Sequence, residues 1–183
     1  MKRQKYVLYI EGTTDDTNGD LRQGFSSLLS QELEDLMPRI KMTDSKSQAI
    51  NKFKKPFPND NPLLIIDLDK PEIHKATLIK EENLEEESKK VFFMVQEMEA
   101  WFLSQPNILD NFYNYKISPR IRRKPVEIEN PSDELVRLTK NLPKKERYHK
   151  VRHGVQLLKL LNLKDLMKEF SDVKNLIEFL KEQ

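Results

Sequence analysis

The chain of 183 residues contains no cysteine. That removes disulfides, thiolate-bound zinc, iron–sulfur clusters and a thiol nucleophile together, and it fits a reducing cytoplasm. Glycine is scarce, 4 residues against 10 prolines, which excludes collagen-like and glycine-rich low-complexity chains. Neither GxxxxGK[ST] nor GxGxxG occurs, so any ATP dependence must come from a partner. No GxSxG supports a nucleophilic serine. The longest apolar runs, Leu63 to Ile66 and Val91 to Val95, fall far short of the ~20 residues that span a bilayer. The basic start Met1-Lys2-Arg3-Gln4-Lys5 leads into no signal-peptide apolar region. These absences point to a globular, cytoplasmic chain with no membrane partner.

What is present is charge, unevenly placed. The net charge is +2, but residues 1–110 hold 15 basic and 20 acidic side chains, whereas residues 111–153 hold 12 and 5. The expected organisation follows this division: an α/β core over 1–110 with an acidic site, and a basic loop with a helical extension over 111–183 packing on it.

The core reads as strands alternating with helices. Tyr6-Val7-Leu8-Tyr9-Ile10, Leu63-Leu64-Ile65-Ile66 and Val91-Phe92-Phe93-Met94-Val95 are short apolar, β-rich runs, and residues 39–42 suit a further short strand. Helical spacing of Leu21, Phe25, Leu28, Leu29, Leu33 and Leu36 predicts a helix up to Pro38, and residues 44–54 a second. Residues 55–62 read as a loop, and 72–90 as an exposed connection or a solvated helix. A helix is expected from Gln96 to before Pro106, another over 107–115, and one from an N-cap at Ser132 through 141. Amphipathic helices are expected over 151–161 and 163–180. Such alternation is the signature of a mostly parallel sheet flanked by helices, which binds ligands beyond the carboxyl ends of its strands.

Those ends are acidic: Glu11 after the first strand, Asp67 and Asp69 after the next, Glu97 and Glu99 after the last. Converging carboxylates repel one another unless a cation neutralises them, and oxygen donors suit Mg²⁺ or Mn²⁺. Each also has a structural reading: Glu11 as a turn or cap carboxylate, Glu97 and Glu99 as first-turn helix residues, Asp67-x-Asp69 as turn aspartates. In the basic part, His149, Arg152 and His153 share a face if 149–153 is helical, suiting phosphate contact together with Lys150, or an interdomain contact. Arg120, Arg122, Arg123 and Lys124 suit phosphate-backbone contact, or a solvated loop. Trp101 reads as core.

The run Glu11-Gly12-Thr13-Thr14-Asp15, with Asp67-x-Asp69 after a later strand, resembles the Toprim domain. It is similar in particular to Toprim nucleases of the overcoming-lysogenization-defect type, whose EGxTE motif is matched with Asp15 in the last place. Met94-Val95-Gln96-Glu97-Met98-Glu99-Ala100-Trp101-Phe102 and Tyr148-His149-Lys150-Val151-Arg152-His153 extend the likeness to an uncharacterised Toprim-related bacterial family, a domain of unknown function. Its members are often encoded beside ATPases of defence islands. That family has Asp-Ser-Glu where this chain has Asp67-Leu68-Asp69.

The resemblance implies a Toprim-like sheet and metal-dependent cleavage of phosphodiesters in DNA or RNA. One or two Mg²⁺ or Mn²⁺ ions would be held by Glu11, Asp67, Asp69, Glu99 and Asp15, a pair lying about 3.5–4 Å apart. Glu11, Asp67, Asp69 and Glu99 would be the catalytic set, and Lys150, Arg152, His149, His153, Arg122 and Arg123 would take substrate phosphates. Nucleic acid and an ATPase are the implied partners, and a homo-oligomer is compatible with the sequence. The alternative is a non-catalytic Toprim-shaped subunit of an ATPase complex. A haloacid-dehalogenase phosphotransferase is the weaker fit, because Pro71 stands where that motif needs threonine.

Overall fold

The computed structural model describes residues 5–14, 17 and 19–182. Four strands, β1 (Tyr6–Glu11), β2 (Arg39–Thr43), β3 (Asn61–Asp67) and β4 (Val91–Met94), form one sheet in the order β2-β1-β3-β4. Every pairing is parallel, with Ile10 opposite Met42 and Ile65, and Ile66 opposite Phe93. This is an α/β fold with a parallel sheet between helices and a helical C-terminal part.

The strands are near-continuous apolar runs because both faces are covered. Alternate residues serve different cores. Leu8, Ile10, Leu63, Ile65, Phe92 and Met94 face the larger one, built with α1 (Leu21–Leu33), α4 (Glu99–Leu103), α7 (Lys150–Leu160), α8 (Leu163–Glu169) and α9 (Ser171–Lys181). Val7, Tyr9, Leu64, Ile66 and Phe93 face the smaller one, closed by Ala49, Ile50 and Phe53 of α2 (Lys46–Lys54) and by Leu78 of α3 (Lys75–Glu81). The larger core draws residues from both sides of position 110, from Leu8 to Leu180. Among the described residues no helix is long and apolar enough to cross a membrane.

Because β1 continues to β2 on one side while β3 lies on its other side, the strand order reverses between β1 and β3. In parallel α/β sheets the crevice for ligands opens there. Glu11 ends β1 and Asp67 ends β3, so both stand at that point.

Several boundaries differ from the sequence expectation, each for a local reason. α1 stops at Leu33, since Glu34 turns left-handed (φ 40°) into a single 3₁₀ turn, Glu34–Leu36. β3 starts two residues early and takes in Pro62, paired with Val7; a proline near the start of a strand is tolerated. The 72–90 segment is, as expected, a largely solvated stretch carrying the helix α3, anchored by Leu78 and Leu84, its buried residues. Gln96 is left-handed (φ 60°), so helix α4 begins only at Glu99. α6 (Pro131–Thr139) is not capped by Ser132; that residue lies inside the first turn, and its N–H donates to Glu97 Oε2 at 2.9 Å.

After α5 (Pro106–Tyr113), Asp110 organises the turn into the basic segment. It accepts from the N–H of Ile117 (2.6 Å), the N–H of Ser118 (2.8 Å) and Ser118 Oγ (2.7 Å). Burial opposes its charge, but these donors and Lys116 prevail and hold the carboxyl down to about 2. A depressed folded-state value contributes stability above the ordinary aspartate range and loses it as pH falls through that range towards about 2. Asp110→Ala, which leaves buried donors unpaired, is expected to cost about 3 kcal/mol in urea denaturation at pH 7. The gap to the unaltered protein should shrink as pH falls below ~4.

Candidate functional site

Each acidic residue at the crevice is placed by its own element. Glu11 follows five buried residues of β1, and the chain leaves it through Gly12, at φ 152°. The Gly12 N–H donates to Thr43 carbonyl at 2.8 Å, and a Cβ here would meet Met42 Cε at 2.8 Å. The positive φ disfavours a side chain at position 12, and one placed there would also displace the end of Met42. Glu11 Oε2 accepts the backbone N–H of Asp67 at 3.1 Å, tying the ends of β1 and β3 together.

Asp67 is the last residue of β3, and its Oδ1 accepts the N–H of Met98 at 2.9 Å, just before α4. Beyond it Leu68 is buried and Asp69 is left-handed (φ 56°), its N–H donating to Gln96 carbonyl at 2.7 Å. Two non-glycine residues in this sparsely populated conformation, side by side at the strand ends, mark backbone held by its surroundings. Asp69 itself points to the rim, 55% exposed, paired with Lys46 at the start of α2. Asp67 and Asp69 therefore do not share a face, because the chain turns between them.

Glu99, the first residue of α4, has no exposed surface. Its Oε1 accepts the hydroxyl of Tyr148 at 2.8 Å, and its Oε2 is buried with no hydrogen-bond partner. Lys150 opens α7 and bridges the cluster, Nζ lying 3.7 Å from both Asp67 Oδ2 and Glu99 Oε1. Burial pushes the Asp67 carboxyl well above its ordinary value; Lys150 opposes this, and Glu99, Glu11 and Asp69 add to it. Glu11 and Glu97 are likewise raised, chiefly by burial. Burial also disfavours the Lys150 charge, but Glu99, Asp67, Glu97 and Glu11 together prevail and hold the ammonium above the usual lysine range. Tyr148 is raised well above the normal phenol by burial and by Glu99, which keeps it a donor.

Three of the expected carboxylates, Glu11, Asp67 and Glu99, thus converge with Lys150, while Asp69 stands at the edge. Asp15 lies outside the described residues. His149 is the N-cap of α7, its Nδ1 accepting the Arg152 N–H at 3.3 Å. Arg152 donates to Lys145 carbonyl at 2.8 Å. His153 does not join His149 on an outer face: it is buried, its Nδ1 accepts the His149 N–H at 3.2 Å, and its ring packs on Phe112 and Tyr113. Burial, with Arg152 and His149 adding, pulls it down to about 4 and leaves it neutral at pH 7. Arg122 and Arg123 line a separate cleft against α6. Trp101 is core.

Sequence reasoning missed Lys46 and the role of Tyr148. Lys46 carries no motif. Tyr148 sits in the noted Tyr148-His149-Lys150 string, but nothing local in that string says that its hydroxyl reaches a residue 49 positions away.

Among the described residues no three His, Cys, Asp or Glu side chains form a group that could hold a metal ion; the cation between the carboxylates is the Lys150 ammonium. The donors are nevertheless all oxygen, and Glu99 Oε2 lacks a partner. That donor set fits a hard divalent ion.

A family model described as a domain of unknown function (DUF4276) matches residues 10–181. No curated protein and no solved structure matches the chain.

Proposed function

The chain belongs to the DUF4276 family of unknown function, and from its site we propose a Mg²⁺- or Mn²⁺-dependent phosphodiesterase that cleaves DNA or RNA. One observation carries the reading. Asp67 and Glu99 face each other across Lys150 at the switch point of a parallel sheet, with Glu11 bonded to the Asp67 backbone beside them, and Glu99 is wholly buried with one oxygen unpartnered. A buried charge short of partners is costly, and a cation supplies what is missing. The Toprim type, the ATPase partner and the setting in bacterial defence rest on the sequence resemblance alone.

Asp67 and Glu99 would hold the ion with Glu11 beside them, and Asp69 stands at the rim to extend the set. An ion held by these residues would supply Lewis-acid polarisation of a phosphoryl oxygen and a water of lowered pKa. The chain's own residues do the rest. Tyr148 orients Glu99, while the Met98 N–H fixes the Asp67 carboxylate. Lys150, already charged and at the carboxylates, offsets negative charge on a phosphate.

A second reading, a non-catalytic subunit of an ATPase complex, is favoured by the same lysine, since its ammonium already bridges Asp67 and Glu99. Incubating the purified chain with DNA and tRNA pools, with Mg²⁺, Mn²⁺ or EDTA and with or without the neighbouring ATPase, separates the two. Cleavage that requires metal supports the enzyme. Intact pools in every arm leave the non-catalytic subunit.

A further inference from the structure

Away from the carboxylates, a cleft of about 780 Å³ opens between the basic loop and α6. Arg120, Arg122 and Arg123 line one bank, Arg137 and Lys140 the other, with Glu134 as the one acidic lining residue. Glu134 is committed, since both its oxygens accept from Arg137, at 2.7 and 2.6 Å. Arg120 is oriented by the Tyr115 ring, 5.1 Å from its guanidinium carbon, and donates to Leu138 carbonyl at 3.4 Å. Among the described residues Arg122, Arg123 and Lys140 have neither an ion pair nor a side-chain hydrogen bond, and all three are exposed.

Five cations around one cavity, set against the single carboxylate of Glu134, which faces Arg137 and Arg123, leave a net positive potential that attracts an anion. The cavity is too large for one phosphate and too polar for an apolar ligand. Arginine forks suit phosphate oxygens, and cations on two facing banks suit a chain of them. Position supports the same conclusion. α6 starts beside the acidic site, where the Ser132 N–H holds Glu97, and from Glu134 through Arg137 to Lys140 just past its end it lines the cleft. At ~1.5 Å per residue that lining runs roughly 9 Å along the helix, a bank long enough for more than one phosphate of a strand.

We propose that this cleft grips the phosphodiester backbone of a nucleic-acid strand that runs along α6 towards the carboxylate site. The proposal deepens the phosphodiesterase reading and rests on it for where the strand leads; binding itself is tested separately.

The test is fluorescence anisotropy with labelled 20-mers, as single- and double-stranded DNA and RNA, in EDTA over a salt series. The unaltered chain is expected to bind at least one of the four with a clear salt slope. The triple change R122Q/R123Q/K140Q should weaken that binding at least tenfold. It should also flatten the slope of log affinity against log salt by about 2, as three lost single-strand phosphate contacts would. Circular dichroism checks that the variant is folded. The pair R122K/R123K, which keeps the charge, should retain most of the slope. Absence of binding to all four probes at 50 mM salt overturns the proposal, as does a folded triple variant with unchanged affinity and slope. Because the titrations are run in EDTA, the binding they read does not depend on metal at the carboxylates. Binding without cleavage would thus count against the enzyme reading and leave the cleft standing.

Discussion

Asp67→Asn is expected to lower metal-dependent phosphodiester cleavage by about a thousandfold, roughly 4 kcal/mol of barrier, without lowering the melting temperature. Asparagine keeps the shape and an oxygen to accept the Met98 N–H, so the local backbone is preserved. What it removes is the negative charge that would bind the ion and that already faces Lys150 across 3.7 Å. Stability should hold or rise, because burial is the main force pushing the Asp67 carboxyl up, and deleting a desolvated charge relieves that cost. Lys150 keeps Glu99, and with its side chain 46% exposed it can turn to water. Single-turnover cleavage assays and thermal melts read the two quantities on one preparation. A variant that cleaves normally sinks the metal-site reading, and one that melts far lower shows that Asp67 serves the fold instead.

Gly24→Val is expected to destabilise the protein by about 3 kcal/mol, as overpacking of a tight core does, which for a chain of this size lowers the melting temperature by about 6–12 °C. Gly24 lies on α1 where it crosses α7, and a Cβ there would meet Leu158 Cδ1 at 2.8 Å, Leu158 Cβ at 2.9 Å and Val155 carbonyl oxygen at 3.2 Å. Two of these three atoms cannot swing away, so the helices must part. α7 carries Lys150 at its first turn, and separating it from α1 would also draw the ammonium from Asp67 and Glu99. The stability loss is read by urea denaturation. The displacement is read from the titration of the Lys150 ammonium, which should fall back as its carboxylate neighbours recede. A variant as stable as the parent would mean that α1 and α7 are not packed this closely.

Much of this was legible along the chain because it is local. Apolar runs bounded by acidic turns locate β1, β3 and β4, and the spacing of Leu21, Phe25, Leu28, Leu29 and Leu33 locates α1. Glu11, Asp67 and Glu99 were legible as candidates because each closely follows a buried apolar strand, where a turn or first-turn carboxylate would stand as well. Helix starts were less so. Gln96 takes a left-handed turn because the chain must bring the Met98 N–H onto Asp67, 31 residues earlier, and helical spacing holds no trace of that. His153 illustrates the same limit from the other side. Spacing puts it with His149 on one face, but His149 is a cap and His153 turns inward beneath Phe112 and Tyr113.

By itself, then, the sequence determined the alternation of strands and helices, the acidic strand ends, the exclusion of sulfur ligands and the basic character of residues 111–153. Those properties follow from residue type and short-range periodicity. Only the tertiary structure decided which carboxylates meet. It sent Asp69 to the rim with Lys46, buried Glu99 beneath Tyr148 and brought Lys150 between Asp67 and Glu99. It also folded the basic run against α6 as a cleft. The physical reason is that electrostatics and desolvation act through space. Polar and charged groups 49, 51 and 83 positions apart acquire their meaning only when packing of the sheet and α7 sets the few ångströms between them.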